Sequence, residues 1–163
     1  MKEIPLSNGG AATIDDEDFD VLSLSRWRKF RSRRAFYVQA TSGPHRWKLM
    51  HRVVLRAVLG EMIDHKNRNG LDNRKENLRR CTSSQNNGNR AKHAKNGKTS
   101  PYKGVCYDKK QRKFLAQISH QKFGRFDSEV AAARAYDEAA RAKWGVFARL
   151  NFPRDGEESA HQG

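Results

Sequence analysis

Positions 62 to 86 read Met62-Ile63-Asp64-His65-Lys66-Asn67-Arg68-Asn69-Gly70-Leu71-Asp72-Asn73-Arg74-Lys75-Glu76-Asn77-Leu78-Arg79-Arg80-Cys81-Thr82-Ser83-Ser84-Gln85-Asn86. Adjacent Asp64 and His65 can divide two jobs. A carboxylate holds a hard divalent cation, and an imidazole takes a proton. Hydrolysis of a phosphodiester needs both, because charge on the phosphate and leaving oxygen must be neutralised while a base activates water. An Asp-His pair alone is common on surface loops. Here it is followed at fixed spacing by Asn77-Leu78 and Asn86.

The rest of the chain supports a polyanionic partner. Its 163 residues include 33 Lys+Arg against 18 Asp+Glu, a formal charge of +15, with only 36% hydrophobic residues. That length allows one ordinary domain or two small ones. The excess is uneven. Residues 1–20 hold one basic and six acidic side chains, residues 21–100 hold 20 and 4, and residues 101–163 hold 12 and 8. Phosphates neutralised by the middle segment would release counterions and make binding salt-dependent. The longest apolar stretch, Val53–Leu59, is broken by Arg56, and no N-terminal segment has signal-peptide character. Cys81 and Cys106 are too few for a disulfide framework or a four-cysteine zinc site. An intracellular, cytoplasmic, DNA-associated protein with no membrane partner is the expectation.

Local patterning predicts a mixed α+β chain. Ile4–Leu6 and Ala11–Ile14 flank the turn Asn8-Gly9-Gly10 as short strands, and Val21–Leu24 is helical or irregular. Ala35–Ala40 and Arg46–Arg52 read as a hairpin around Ser42-Gly43-Pro44, and His51–Leu59 as a helix ending at Gly60. Ala91–Ser100 has a linker's composition, either lying along phosphates or serving as a plain spacer. Beyond it, Tyr102–Tyr107, Lys113–Ile118 and Lys122–Phe126 are strand-like. Ser128 is placed to cap an alanine-rich helix over 131–143, with Gly145 closing it.

The combination of Asp64-His65, Asn77-Leu78 and Asn86, with Met50-His51-Arg52 upstream and an asparagine-rich turn from Gly70 to Asn77, resembles the HNH endonuclease family. The closer likeness is to its homing-type branch, in which the third position is Asn. The resemblance covers residues 1–90, with a metal-site core at 51–90. It implies a ββα-metal fold: a hairpin carrying Asp64-His65, then a helix carrying Asn86. By that likeness His65 is the general base and Asn77 the catalytic-site residue that orients its ring. Asp64 and Asn86 then bind one magnesium or manganese ion, the metals that oxygen ligands suit. Asn77 could instead cap a helix starting near Leu78, and Asn86 could sit in ordinary loop. For His51 a structural hydrogen bond or a phosphate contact is expected.

Residues 101–153 carry a second likeness. Tyr102-Lys103-Gly104-Val105, Gly124-Arg125-Phe126-Asp127-Ser128, the run Ala131–Ala140 and Leu150-Asn151-Phe152-Pro153 resemble the plant ethylene-response-factor (ERF, APETALA-type) DNA-binding domain. That family implies a three-stranded antiparallel sheet laid into the major groove with one helix behind it. Alternation places Phe114, Ala116 and Ile118 under the helix, with Lys113, Leu115, Gln117 and Ser119 facing outward. Lys103, Tyr107, Lys110, Arg112, Lys113, Gln117, Lys122 and Arg125 are the expected DNA contacts here. Cys106, Asp108, Ser119 and Lys122 stand where plant members read bases, so plant site preference does not transfer.

Arg28, Arg31 and Arg33, around Trp27 and Phe30, form a third basic surface, either on phosphates or merely solubilising. The expectation is therefore an HNH domain over 1–90, a basic linker over 91–100, an ERF-type domain over 101–153 and a tail over 154–163. Such a chain would be a metal-dependent endonuclease on double-stranded DNA, without a small-molecule cofactor. It would nick as a monomer or weak dimer. The rival expectation is a non-catalytic DNA-binding regulator.

Overall fold

The computed structural model describes residues 1–32, 35–92 and 99–160. Arg33 and most of the linker therefore lie outside the described residues. The chain divides into two compact units, Met1–Ser83 and Ser84–Gly163.

In the first unit, β1 (Lys2–Pro5) pairs antiparallel with β2 (Ala11–Ile14), and a short helix α1 (Phe19–Ser23) follows. β3 (Arg26–Ser32) pairs antiparallel with β4 (Ala35–Ser42). This corrects the expected hairpin: β4 takes its partner from the arginine-rich segment before it, and 46–49 contributes only an isolated bridge from Leu49 to Gln39. The alternation signal was hidden in β3 because its charges fall on both faces, Arg26 and Arg28 on one and Lys29 and Arg31 on the other. Helix α2 (Met50–Val54) is one turn and a half, shorter than the expected run to Gly60. β5 (Met62–His65) then pairs antiparallel with β6 (Leu78–Cys81), which ends this unit; α3 (Ser83–Gly88) starts at the unit's last residue and belongs, from Ser84 on, to the second unit.

Trp27 is the central piece of this unit's core, 1% exposed and packed with Ile14, Leu22, Val38 and Met50. Each such side chain contributes about 1.5–3 kcal/mol by leaving water. The indole N–H is satisfied by the Leu22 carbonyl at 2.7 Å, so the largest buried side chain leaves no orphan donor. The core also includes Ile63 and Leu78, one from each strand of the β5–β6 hairpin. Their burial fixes the register that brings Asp64 opposite Arg79 and His65 opposite Leu78.

In the second unit β7 (Val105–Asp108), β8 (Lys113–Ile118) and β9 (Gln121–Phe126) form an antiparallel sheet in that order. Helix α4 (Glu129–Trp144) packs on it, with Ser128 Oγ accepting from Ala131 N at the start. Phe114, Ala116 and Ile118 lie in one cluster with Ala132, Ala133, Tyr136 and Ala140; the alanines let the helix come close. Gly104 has φ +75°, and a Cβ there would fall 1.8 Å from the Tyr136 ring. A short parallel pair, β10 (Arg149–Leu150) and β11 (Glu158–Ser159), ends the unit. Asp137, buried in α4, accepts from the backbone N–H groups of Asn151 and Phe152 at 2.8 Å each. That ties Leu150-Asn151-Phe152 to the helix.

Candidate active site

The site is built on β5. Successive strand residues point to opposite faces, so Asp64 and His65 do different things from adjacent positions. Asp64 is 6% exposed; its Oδ2 accepts a hydrogen bond from Arg79 Nε at 3.0 Å and lies 2.9 Å from Arg79 Nη2 in the same ion pair. The cross-strand guanidinium thus gives the buried carboxylate an oppositely charged partner.

His65 is 5% exposed. Its Nε2 stands 3.3 Å from Asn73 Oδ1, while Asn73 Nδ2 donates to the Gly70 carbonyl at 3.3 Å. With the amide nitrogen directed at Gly70, the amide oxygen faces the ring. The neutral imidazole therefore carries its proton on Nε2, which leaves Nδ1 as the basic nitrogen. Burial lowers the His65 pKa, opposed by the Asn73 hydrogen bond and the charges of Asp64 and Asp72. The ring is neutral at neutral pH, as a general base must be.

Two more rings flank it. His51, from α2, meets His65 edge-on at 5.1 Å between centroids, and Tyr37, from β4, lies 5.9 Å from His65 and 5.8 Å from His51. His51 is pushed down to about 3, first by burial and then by the neighbouring His65 and Arg52. Its Nδ1 is buried with no hydrogen-bond partner among the described residues. The ring packs edge-on against His65.

The asparagine-rich turn is a lattice of side-chain-to-backbone bonds. Asn77 Oδ1 accepts from Asn67 N at 3.0 Å, and Asn77 Nδ2 donates to the Asp72 carbonyl at 2.7 Å. Asn67 Nδ2 donates to Asp72 Oδ2 at 2.9 Å, and Asn69 Oδ1 accepts from Leu71 N at 3.1 Å. Asn77 was expected to orient His65 or to cap a helix near Leu78. It instead closes the loop that presents Asn73, and the chain after it is strand. The orienting contact at 3.3 Å comes from Asn73. Asn73 was legible only as one asparagine among several, and Tyr37 carried no signal beyond strand alternation.

Asp64, His65, Asn73 and Asn77 are thus gathered in the first unit with His51 and Tyr37. Asn86 is half-buried on α3 and falls in the second unit. Among the described residues no three of His, Cys, Asp and Glu cluster as metal ligands. The Asp64 carboxylate is a hard oxygen donor of the kind magnesium takes, a cation that keeps several waters and leans on substrate phosphate.

The basic residues sort by face. Residues paired across antiparallel strands share a face. Arg28 pairs with Gln39, and Phe30 with Tyr37, so Arg28 lies on the face whose Tyr37 ring touches His65. Arg31 pairs with Phe36 on the opposite face. In the second unit Lys110, Arg112 and Lys122 are exposed, and Gln117 is half-buried opposite Lys122. Lys113 pairs with Asp127 at 3.2 Å and Arg125 with Asp108 at 3.1 Å. Two residues depart from expectation. Lys103 is 9% exposed, its ammonium donating to the carbonyls of Gly88 at 2.7 Å and Arg149 at 3.3 Å. Tyr107 pairs with Phe114 and packs on its ring at 5.1 Å, on the helix side of the sheet.

The first unit thus presents a β-hairpin with a buried carboxylate beside a neutral, oriented imidazole. Residues 48–88 match the family described as HNH endonuclease. The match supports nuclease activity, with DNA as substrate. No curated protein and no solved structure matches the chain. No helix among the described residues is long and apolar enough to cross a membrane.

Proposed function

We propose that the protein is a metal-dependent, homing-type DNA endonuclease that nicks as a monomer. The observation that carries this reading is the buried, neutral His65 ring held by Asn73 beside Asp64, inside the stretch that matches the HNH family. His65 Nδ1 takes the proton of the attacking water, and Asn73 keeps that nitrogen presented. Asp64 and Asn86 would hold one magnesium or manganese ion, which when bound supplies charge neutralisation at the scissile phosphate. Asn77 keeps the loop of residues 66–77 closed behind His65. Tyr37 and His51 exclude water from the flank of the base. One base serves one strand, so a double-strand break needs two events.

The second unit is read as an ERF-type module that adds sequence-biased grip through Lys110, Arg112, Gln117, Lys122 and neighbouring cations. Its three strands with one helix, and the Phe114-Ala116-Ile118 face under the alanines of α4, support that reading. Lys103 and Tyr107 are left out of this surface because of their placement.

Supercoiled plasmid incubated with magnesium, and separately with chelator, tests the proposal. Nicked circles are expected with metal only, and His65→Ala should lower the rate at least about 100-fold with DNA binding retained. Linear product without a nicked precursor overturns the monomeric nicking reading. Equal rates in wild type and His65→Ala overturn the assignment of the base.

A further inference from the structure

The face of the β3–β4 hairpin that reaches His65 does not end at Tyr37. Two residues along β4, about 7 Å or the length of two base-pair steps, Gln39 accepts from Arg28 Nη2 at 3.3 Å. The same Gln39 side chain donates through Nε2 to the Trp47 carbonyl at 3.1 Å. Trp47 stands 61% exposed, whereas Trp27 and Trp144 are 1% and 9% exposed. The Arg46 guanidinium lies over the Trp47 ring at 4.9 Å. The backbone that presents this ring is fixed. The Trp47 backbone N–H donates to Ala40 O at 2.9 Å, and its φ is +69°, a conformation that bulky residues rarely adopt.

From these contacts we infer that this face is a track for the DNA strand flanking the scissile phosphate. Arg28 binds backbone phosphate, and Trp47, with Arg46 stacked behind it, takes an unstacked base. The location of the scissile bond rests on the nuclease reading above; the track itself rests on the hairpin. Three features favour DNA as occupant. The segment around it is basic, with 20 Lys+Arg against 4 Asp+Glu between residues 21 and 100. An aromatic ring beside cations is how single strands are gripped without sequence preference. The same face also carries Tyr37, whose ring lies 5.9 Å from His65.

Tryptophan emission of the full chain, titrated in chelator so that nothing is cut, reads the contact directly. The probes are a plain DNA duplex and the same duplex carrying a short unpaired gap. The gapped duplex is expected to quench emission more strongly. Trp47→Phe should abolish the change while keeping affinity within about twofold, because a stacking ring remains. Trp47→Ala and Arg28→Ala should each bind the gapped duplex about tenfold more weakly. Circular dichroism confirms that both remain folded. Emission that changes equally in wild type and Trp47→Phe overturns the inference, as does a Trp47→Ala chain that binds within twofold of wild type, even if plasmid nicking is intact. Quenching lost in Trp47→Phe, from a wild-type chain that never nicks, supports the track and overturns the nuclease reading instead.

Discussion

A buried histidine is useful as a base only if something decides which nitrogen is basic. Here that is Asn73, whose own amide is oriented by the Gly70 carbonyl. Asn73→Ala should therefore slow single-turnover nicking by about 10–100-fold, as removal of an orienting partner does, with DNA affinity unchanged. Equal losses in rate and affinity would show that Asn73 only holds the loop. His51 makes a different prediction. It is neutral in the folded chain, with its pKa near 3 against an ordinary 6.5. The unfolded chain therefore binds the extra proton first as pH falls. The stability contribution is whole above pH 6.5 and declines from there toward pH 3, at roughly 1.4 kcal/mol per pH unit. Thermal melts from pH 7.5 to 5 should show that slope, and His51→Gln should reduce it, leaving the part of the same sign that buried His65 contributes.

At the scale of elements, the β5–β6 hairpin and the loop between its strands carry the site because the loop satisfies its own backbone. Asparagine is the residue that bonds neighbouring N–H groups from a short side chain, and four of them occupy positions 67, 69, 73 and 77. The loop is also fitted against β4. A Cβ on Gly70 would lie 2.0 Å from the Phe36 carbonyl oxygen, a backbone atom that cannot yield as a side chain would. Gly70→Ala is expected to cost more than about 2 kcal/mol in urea melts and to lower nicking by displacing Asn73. Much of this element was expected from the family resemblance: the hairpin carrying Asp64-His65 and the helix carrying Asn86 are both present. The roles inside it were not, because Asn73 and Asn77 are chemically the same residue. Only the path of the chain decides which one reaches His65.

At the scale of the molecule, charge and placement separate. Lys103 and Lys122 count equally toward the +15 charge, yet one ammonium is buried among carbonyls and the other is exposed. If the second unit grips DNA, Lys122→Ala should reduce the slope of log affinity against log salt by about 0.9. Lys103→Met should leave that slope intact and lower the melting temperature, since Gly88 and Arg149 lose their donor. A slope that falls equally in both variants would place Lys103 on the DNA after all.

What the amino-acid order alone established is chemical. A strongly basic charge, an Asp-His pair followed by asparagines at 77 and 86, and an alanine-rich run after three strand-like ones need no coordinates, because composition and periodicity are local properties. Contact decided the rest. The pairing of β4 with the arginine strand, the seating of His65 on Asn73, His51 and Tyr37, and the burial of Lys103 each join residues distant in the chain. Which of many similar side chains meet is set by the packing of whole elements, and that information is spread over the fold.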